Sequence, residues 1–205
     1  MKIWTLRIGR IKKGAIFIVA LLCLGLWTSG AAAAENPVAV VRTGTNQVMH
    51  LLRQNPEKSP LISQKIQAVV NNYFDFNAIA KKALGPQWRR LSPAKREQFT
   101  RAFSKVLFNT YIKRIKGYSN ESIRYALLQR EGNNAEVRAY VTGVQNIAPV
   151  SVDFYLHAKG TWKVEDVVVS GVGLVTNYRE QFNSILARSS FDDLLRQLKA
   201  RAERG

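Results

Sequence analysis

The sequence is short of the groups that do covalent chemistry. Its 205 residues include one cysteine, Cys23, and two histidines, His50 and His157. A single thiol excludes an intramolecular disulfide, and no Cys/His cluster has the spacing of a metal site. No Gly-x-Ser-x-Gly elbow and no phosphate-binding glycine loop is present. His50 falls on a predicted helix and His157 on the polar face of a predicted strand, where a histidine needs no special role. Acid–base chemistry by Asp153 or Asp166 with a tyrosine stays open, but no spacing selects it. The inventory favours a non-enzyme with no cofactor, no metal and no catalytic residues. Acidic residues are scarce too, 14 against 31 Lys and Arg.

No apolar run reaches the ~20 residues of a comfortable membrane span. The longest, residues 15–27, follows Lys2, Arg7, Arg10, Lys12 and Lys13 and precedes Ala32-Ala33-Ala34. A positive start, a short apolar run and a small-x-small end predict a signal peptide over residues 1–34, cleaved to leave Glu35 first. An uncleaved anchor is the alternative. Leu22 is too bulky for Cys23 to be a lipidation site. Removing five of the 31 basic residues leaves 26 against 14 acidic ones, a formal +12 on residues 35–205. For an exported protein this excess points to anionic headgroups or acidic protein surfaces rather than nucleic acid. About 170 residues without a disulfide make one domain held by its core.

Helices come first. Asn36-Pro37 is a cap with proline at the first helical position, followed by Val41, Val48 and Leu52 up to Asn55-Pro56. Leu61, Ile62, Ile66, Val69, Val70 and Tyr73 mark a second helix. Asp75 caps a third with Phe76, Ile79, Ala80 and Ala83, which Gly85-Pro86 ends. Ser92-Pro93 starts the clearest helix, with Phe99, Phe103, Val106, Leu107, Thr110 and Tyr111 in one stripe, and residues 117–121 end it.

Strands follow. Residues 123–130 and 136–141 flank a turn at Gly132-Asn133-Asn134. Val150, Val152, Phe154 and Leu156 alternate with Ser151, Asp153, Tyr155 and His157, and Lys159-Gly160 turns into residues 161–169. After Gly171 and Gly173 the period becomes helical, with Leu174, Tyr178, Phe182 and Ile185. Ser190 and Asp193 resemble a capping box for a last helix bearing Phe191, Leu194, Leu195 and Leu198. The predicted class is α+β, a curved four-stranded antiparallel sheet packed against a helical layer. The apolar space between them is either filled by side chains or open to a ligand.

Tyr73-Phe74-Asp75-Phe76, Ala80, Leu84-Gly85, Trp88-Arg89, Ser92-Pro93, Arg96, Phe99, Phe103, Leu107 and Tyr111 resemble the MlaC family, also called the toluene-tolerance auxiliary proteins. So do the run from Gly171 to Phe182 and Phe191-Asp192-Asp193-Leu194-Leu195. The likeness covers residues 35–205 in order, with two departures. Gly173 stands in place of a serine, and Ser190-Phe191-Asp192-Asp193 replaces a more glycine-containing run.

The resemblance implies a monomeric periplasmic phospholipid carrier that maintains outer-membrane asymmetry. Its partners would be an outer-membrane lipoprotein–porin complex and an inner-membrane ABC transporter, reached through an MCE-domain subunit. Acyl tails would lie in a pocket between sheet and helices. The expected lining is Val150, Val152, Phe154, Leu156, Trp162, Val164, Val172, Leu174, Val175, Tyr178 and Phe182, with Phe99, Phe103, Leu107 and Tyr111 from the helical side. Alternatives are a carrier of another lipid, such as a hopanoid, or a small isomerase or dehydratase built on the same cone.

Overall fold

The computed structural model describes residues 36–54, 59–116, 122–143 and 149–204, all within the unit that begins at Glu35. The predicted leader, the loop at 55–58 and the helix end at 117–121 lie outside the described residues. Four helices come first: α1 (Pro37–Gln54), α2 (Pro60–Tyr73), α3 (Phe76–Leu84) and, after a 3-10 helix at Gly85–Arg90, α4 (Pro93–Ile115). Then come β1 (Ser122–Glu131), β2 (Asn134–Thr142), β3 (Val150–Lys159), β4 (Thr161–Val169) and β5 (Val172–Gly173). Helices α5 (Leu174–Leu186) and α6 (Phe191–Arg204) close the chain. No helix among the described residues is long and apolar enough to cross a membrane.

Local chemistry sets the helix ends. The Asp75 carboxylate accepts from the Ala78 N–H at 2.8 Å, and Gly85 follows α3 at φ +62°. Ser190 and Asp193 form a reciprocal box: the Asp193 N–H donates to Ser190 Oγ at 3.1 Å, and the Ser190 N–H to Asp193 Oδ2 at 3.2 Å. The Ser190 hydroxyl, which donates to Asp193 Oδ2 at 2.8 Å, with the Ser190 N–H and the Arg196 guanidinium, holds the Asp193 carboxyl below the usual carboxylate range.

The strands form one antiparallel meander in chain order. Its fifth strand is the difference from the four predicted. Ser170 and Gly171, at φ 48° and 83°, make a two-residue reversal that lays Val172–Gly173 against Val168–Val169. On the sequence, the glycines at the change of period hid this short return.

Register fixes the two faces. Ala139, Val152 and Val169 lie in one row, and Val137, Phe154 and Val167 in the next, on the apolar face. Arg138 and Asp153 sit opposite each other on the polar face, as do Glu136 and Tyr155. A bulge in β4 leaves Glu165 between the pairs Tyr155–Asp166 and Leu156–Val164. The bulge bends the strand and sends Glu165 to Lys82 on α3, 2.5 Å away.

Three apolar clusters make the core. One is helical, built by α3, α4, α5 and α6 around Phe99, Phe103, Tyr178, Phe182 and Phe191. The second joins Val40 and Val41 of α1 to Val137, Leu156, Trp162 and Val164 of the sheet. The third packs Met49, Leu52, Ile62, Ile66 and Ile112. Phe74 touches the first two, and the Asp75 N–H bonds the Val164 carbonyl at 2.8 Å, tying the helices to the β4 edge.

Candidate functional site

The apolar face of the sheet is closed at one end and thinly covered at the other. At the closed end Leu156, Trp162 and Val164 are buried beneath Val40 and Val41. Along β3 toward its start, Phe154, Val152 and Val150 are only half-buried. In the β4–β5 corner Val169 is 41% and Val172 61% exposed. A face of uniform apolar chemistry whose cover fades along its length is a trough. Large apolar groups left open to water are costly unless something covers them.

The expected lining residues fall into two groups rather than one wall. Phe99, Phe103, Leu107, Val175, Tyr178 and Phe182 are brought together in the helical cluster, with Tyr111 and Leu174 half-buried at its margin. The Phe103 ring centroid lies 4.9 Å from that of Tyr178 and 5.1 Å from that of Phe182, both edge-on. Val150, Val152, Phe154, Leu156, Trp162, Val164 and Val172 belong to the sheet, Val172 on β5 at its exposed corner. Helix α5 makes its sheet contacts with β4 and β5, while α1 lies over β1 and β2. Helix α4 leans chiefly on α3 and α6, and its Ile112 belongs to the cluster against which Ile123 of β1 packs.

Sequence reasoning missed the cover and part of the margin. Val40 and Val41 form the lid of the closed end, and Tyr125 and Val167 extend the face. Arg42 lies over the Tyr125 ring at 5.5 Å, and burial pushes the Tyr125 phenol up against the pull of Thr45 and Arg42. The usable signal was that Val40, Val41 and Gly44 recur at helical spacing on α1.

The polar face holds a different arrangement. The Arg138 guanidinium donates to both oxygens of buried Asp153, at 2.5 and 2.7 Å, and this bond raises the arginine further above its ordinary value. Asp166 caps α5 from the neighbouring strand: its Oδ1 accepts from Val167 N–H at 2.7 Å and Val175 N–H at 3.1 Å. Gly173, the residue before that helix, has no side chain to do so. His157 shares a hydrogen bond with Asn134 Oδ1 at 2.8 Å. Among the described residues no group of three His, Cys, Asp or Glu is placed to hold a metal.

Asp166 gives a measurable pH signature. Burial pushes its carboxyl above the usual range, against the two backbone N–H groups and Lys82. A group whose folded pKa is raised adds most to stability below its unfolded pKa, and loses that contribution as pH rises through the folded value. Asp166→Asn keeps the acceptor and removes the charge. It should be more stable than the parent near neutral pH, with the gap closing as acid protonates Asp166. Denaturant titrations across that range check this, and a gap independent of pH counts against it.

Clefts also open elsewhere among the described residues. Between α5 and α6 a cleft of about 370 Å³ has a floor of Tyr178, Phe182, Ile185, Leu194 and Leu198, rimmed by Arg196, Arg201 and Arg204. Beside α3 a groove of about 760 Å³ is lined mostly by charged groups.

Known proteins resemble this chain in sequence and fold. The chain is 22% identical over 202 residues to the intermembrane phospholipid transport system binding protein MlaC of Haemophilus influenzae, covering 94% of each. It is 26% identical over 179 residues to the toluene tolerance protein ttg2D of Pseudomonas putida, covering 84% of this chain and 83% of that one. Its fold matches a phospholipid-binding protein from Ralstonia solanacearum, solved in complex with a phospholipid, at a TM-score of 0.74 and 24% identity. That match covers 82% of this chain and 98% of the other. The sequence pattern of the MlaC protein family matches residues 42–200, and the chain belongs to that family.

Proposed function

We propose that residues 35–205 form an exported phospholipid carrier. It works in the periplasm between an outer-membrane lipoprotein–porin complex and an inner-membrane ABC transporter, met through an MCE-domain subunit. The graded cover of the apolar sheet face is the observation that carries this reading, and the names of the relatives support it. The tails lie along Val150, Val152 and Phe154, with Leu156, Trp162 and Val164 at the closed end. Tyr111, Leu174 and Val175 border them from the helices, and Val172 lies at the mouth. Phe99, Phe103, Leu107, Tyr178 and Phe182 form the wall behind.

The task is one of burial. At ~0.8 kcal/mol per methylene, two chains with ~30 methylenes represent ~24 kcal/mol against water. No covalent step is needed; the carrier must shield most of that length and release it where a partner offers equal shelter. Headgroup selectivity is expected to be low, because methylenes present no pattern to read.

The reading is tested with donor and acceptor vesicles carrying a pyrene-labelled phospholipid. The transfer rate should rise in proportion to added protein, and a rate indifferent to protein would overturn it. The leader is tested by intact mass: protein from the periplasmic fraction should begin at or near Glu35. A mass retaining residues 1–34, in the membrane fraction, would replace export with anchoring.

A further inference from the structure

The charged groove beside α3 is not part of the trough. It is bounded by α3, the 3-10 helix, the end of β3, β4 and α5, and has a volume of about 760 Å³. Its lining carries six cationic side chains, Lys81, Lys82, Arg89, Arg96, Lys159 and Arg179, and two carboxylates, Asp75 and Glu165. Lys82 is paired with Glu165 at 2.5 Å, and Lys159 stands 3.9 Å from Asp75. No ion pair among the described residues balances the other four cations.

Two of the four are held in place. Arg179 donates from Nε and Nη2 to the Lys82 carbonyl, at 3.0 and 2.7 Å. Arg96 donates to the Trp88 and Arg89 carbonyls, at 3.0 and 3.2 Å, and lies over the Trp88 ring at 5.6 Å. These carbonyls belong to helix ends, so each arginine serves partly as a C-terminal cap. Capping accounts for two N–H groups of each guanidinium and leaves its charge and remaining donors unspent. A guanidinium fixed by neutral carbonyls is pre-organised for a carboxylate, because little side-chain freedom is left to lose on binding.

We propose that this groove is a docking site for an acidic segment of a partner protein, an exposed run rich in Asp and Glu. Charge complementarity selects the sign of the occupant. Cations spread around a concave groove of about 760 Å³ suit a protruding segment better than a flat layer of headgroups. Lys159 and Val150 stand at opposite ends of β3, about 30 Å apart by strand rise, so a partner held here leaves the open end of the trough free. The partner's role rests on the carrier reading; the groove's charge does not.

The test uses the full mature chain and a fluorescein-labelled oligo-glutamate peptide, followed by anisotropy. Lys81→Glu with Arg89→Glu reverses two exposed cations that cap nothing. The control, Lys105→Glu with Lys113→Glu, makes the same change of net charge on α4. The groove variant should weaken binding by about tenfold or more and the control by less than about twofold, with wild-type affinity falling as salt rises. Equal losses in both variants would reduce the effect to net charge and overturn the proposal. It also fails if the groove variant keeps peptide binding but loses binding to phosphatidylglycerol-containing vesicles, which would make the groove a headgroup site. Lipid extracted from the groove variant should match the parent's. Absence of lipid from both would sink the carrier reading while leaving the peptide result standing.

Discussion

Val152→Trp should strip phospholipid from the protein while leaving its fold nearly intact. Val152, half-buried, lies between buried Ala139 of β2 and Val169 of β4, which is 41% exposed, where the cover of the apolar face thins. In a close-packed site the added ring would cost about 1–3 kcal/mol of stability. Where a tail fills the space, that cost falls on the bound lipid, and 1–3 kcal/mol is about a 5- to 150-fold loss of affinity. Thermal midpoint and extracted lipid are to be measured on one preparation. A lowered midpoint with unchanged lipid per folded molecule would return Val152 to the solid core.

Phe103→Ala should do the reverse. Phe103 is 1% exposed and touches the rings of Phe99, Tyr178 and Phe182 at centroid distances of 5.7, 4.9 and 5.1 Å. Truncating such a ring costs about 3–5 kcal/mol. For a domain of this size each kcal/mol moves the midpoint by about 2–4 °C, so a fall of about 6–20 °C is expected. Lipid per folded molecule should hold. A small fall in midpoint with lipid lost would instead put the helical aromatics in direct contact with the tails. The two substitutions thus separate lining from backing wall, which the residue types alone do not.

What the sequence made legible was local. Asp75, Gly85, Ser92-Pro93 and the Ser190–Asp193 box announce helix ends because each acts within one turn of itself. The alternation of Val150, Val152, Phe154 and Leu156 gave the apolar face of β3, since side chains on a strand must alternate. The long-range facts were not legible. Alternation says which residues share a face and nothing of what covers it, and the lid over Leu156 has no local signature. It comes from Val40 and Val41, far away in the chain. The Phe99–Tyr111 stripe identified a buried helix face, but a stripe does not say whether it meets a sheet, a ligand or other helices. The Asp166 cap on α5 and the Glu165 bulge depend on a neighbouring strand and a distant lysine, and neither has a local signature. The tail-lining assignment inherits this limit of period-based reasoning: it names one face of β3, and the structure grades that face by cover.

The most direct measurement is organic extraction of the purified mature protein, followed by lipid mass spectrometry against a protein-free control taken through the same steps. The account expects glycerophospholipid with mixed acyl chains, near one molecule per chain and lost from Val152→Trp. A protein that yields no lipid above the control, or yields only a hopanoid, would contradict phospholipid carriage.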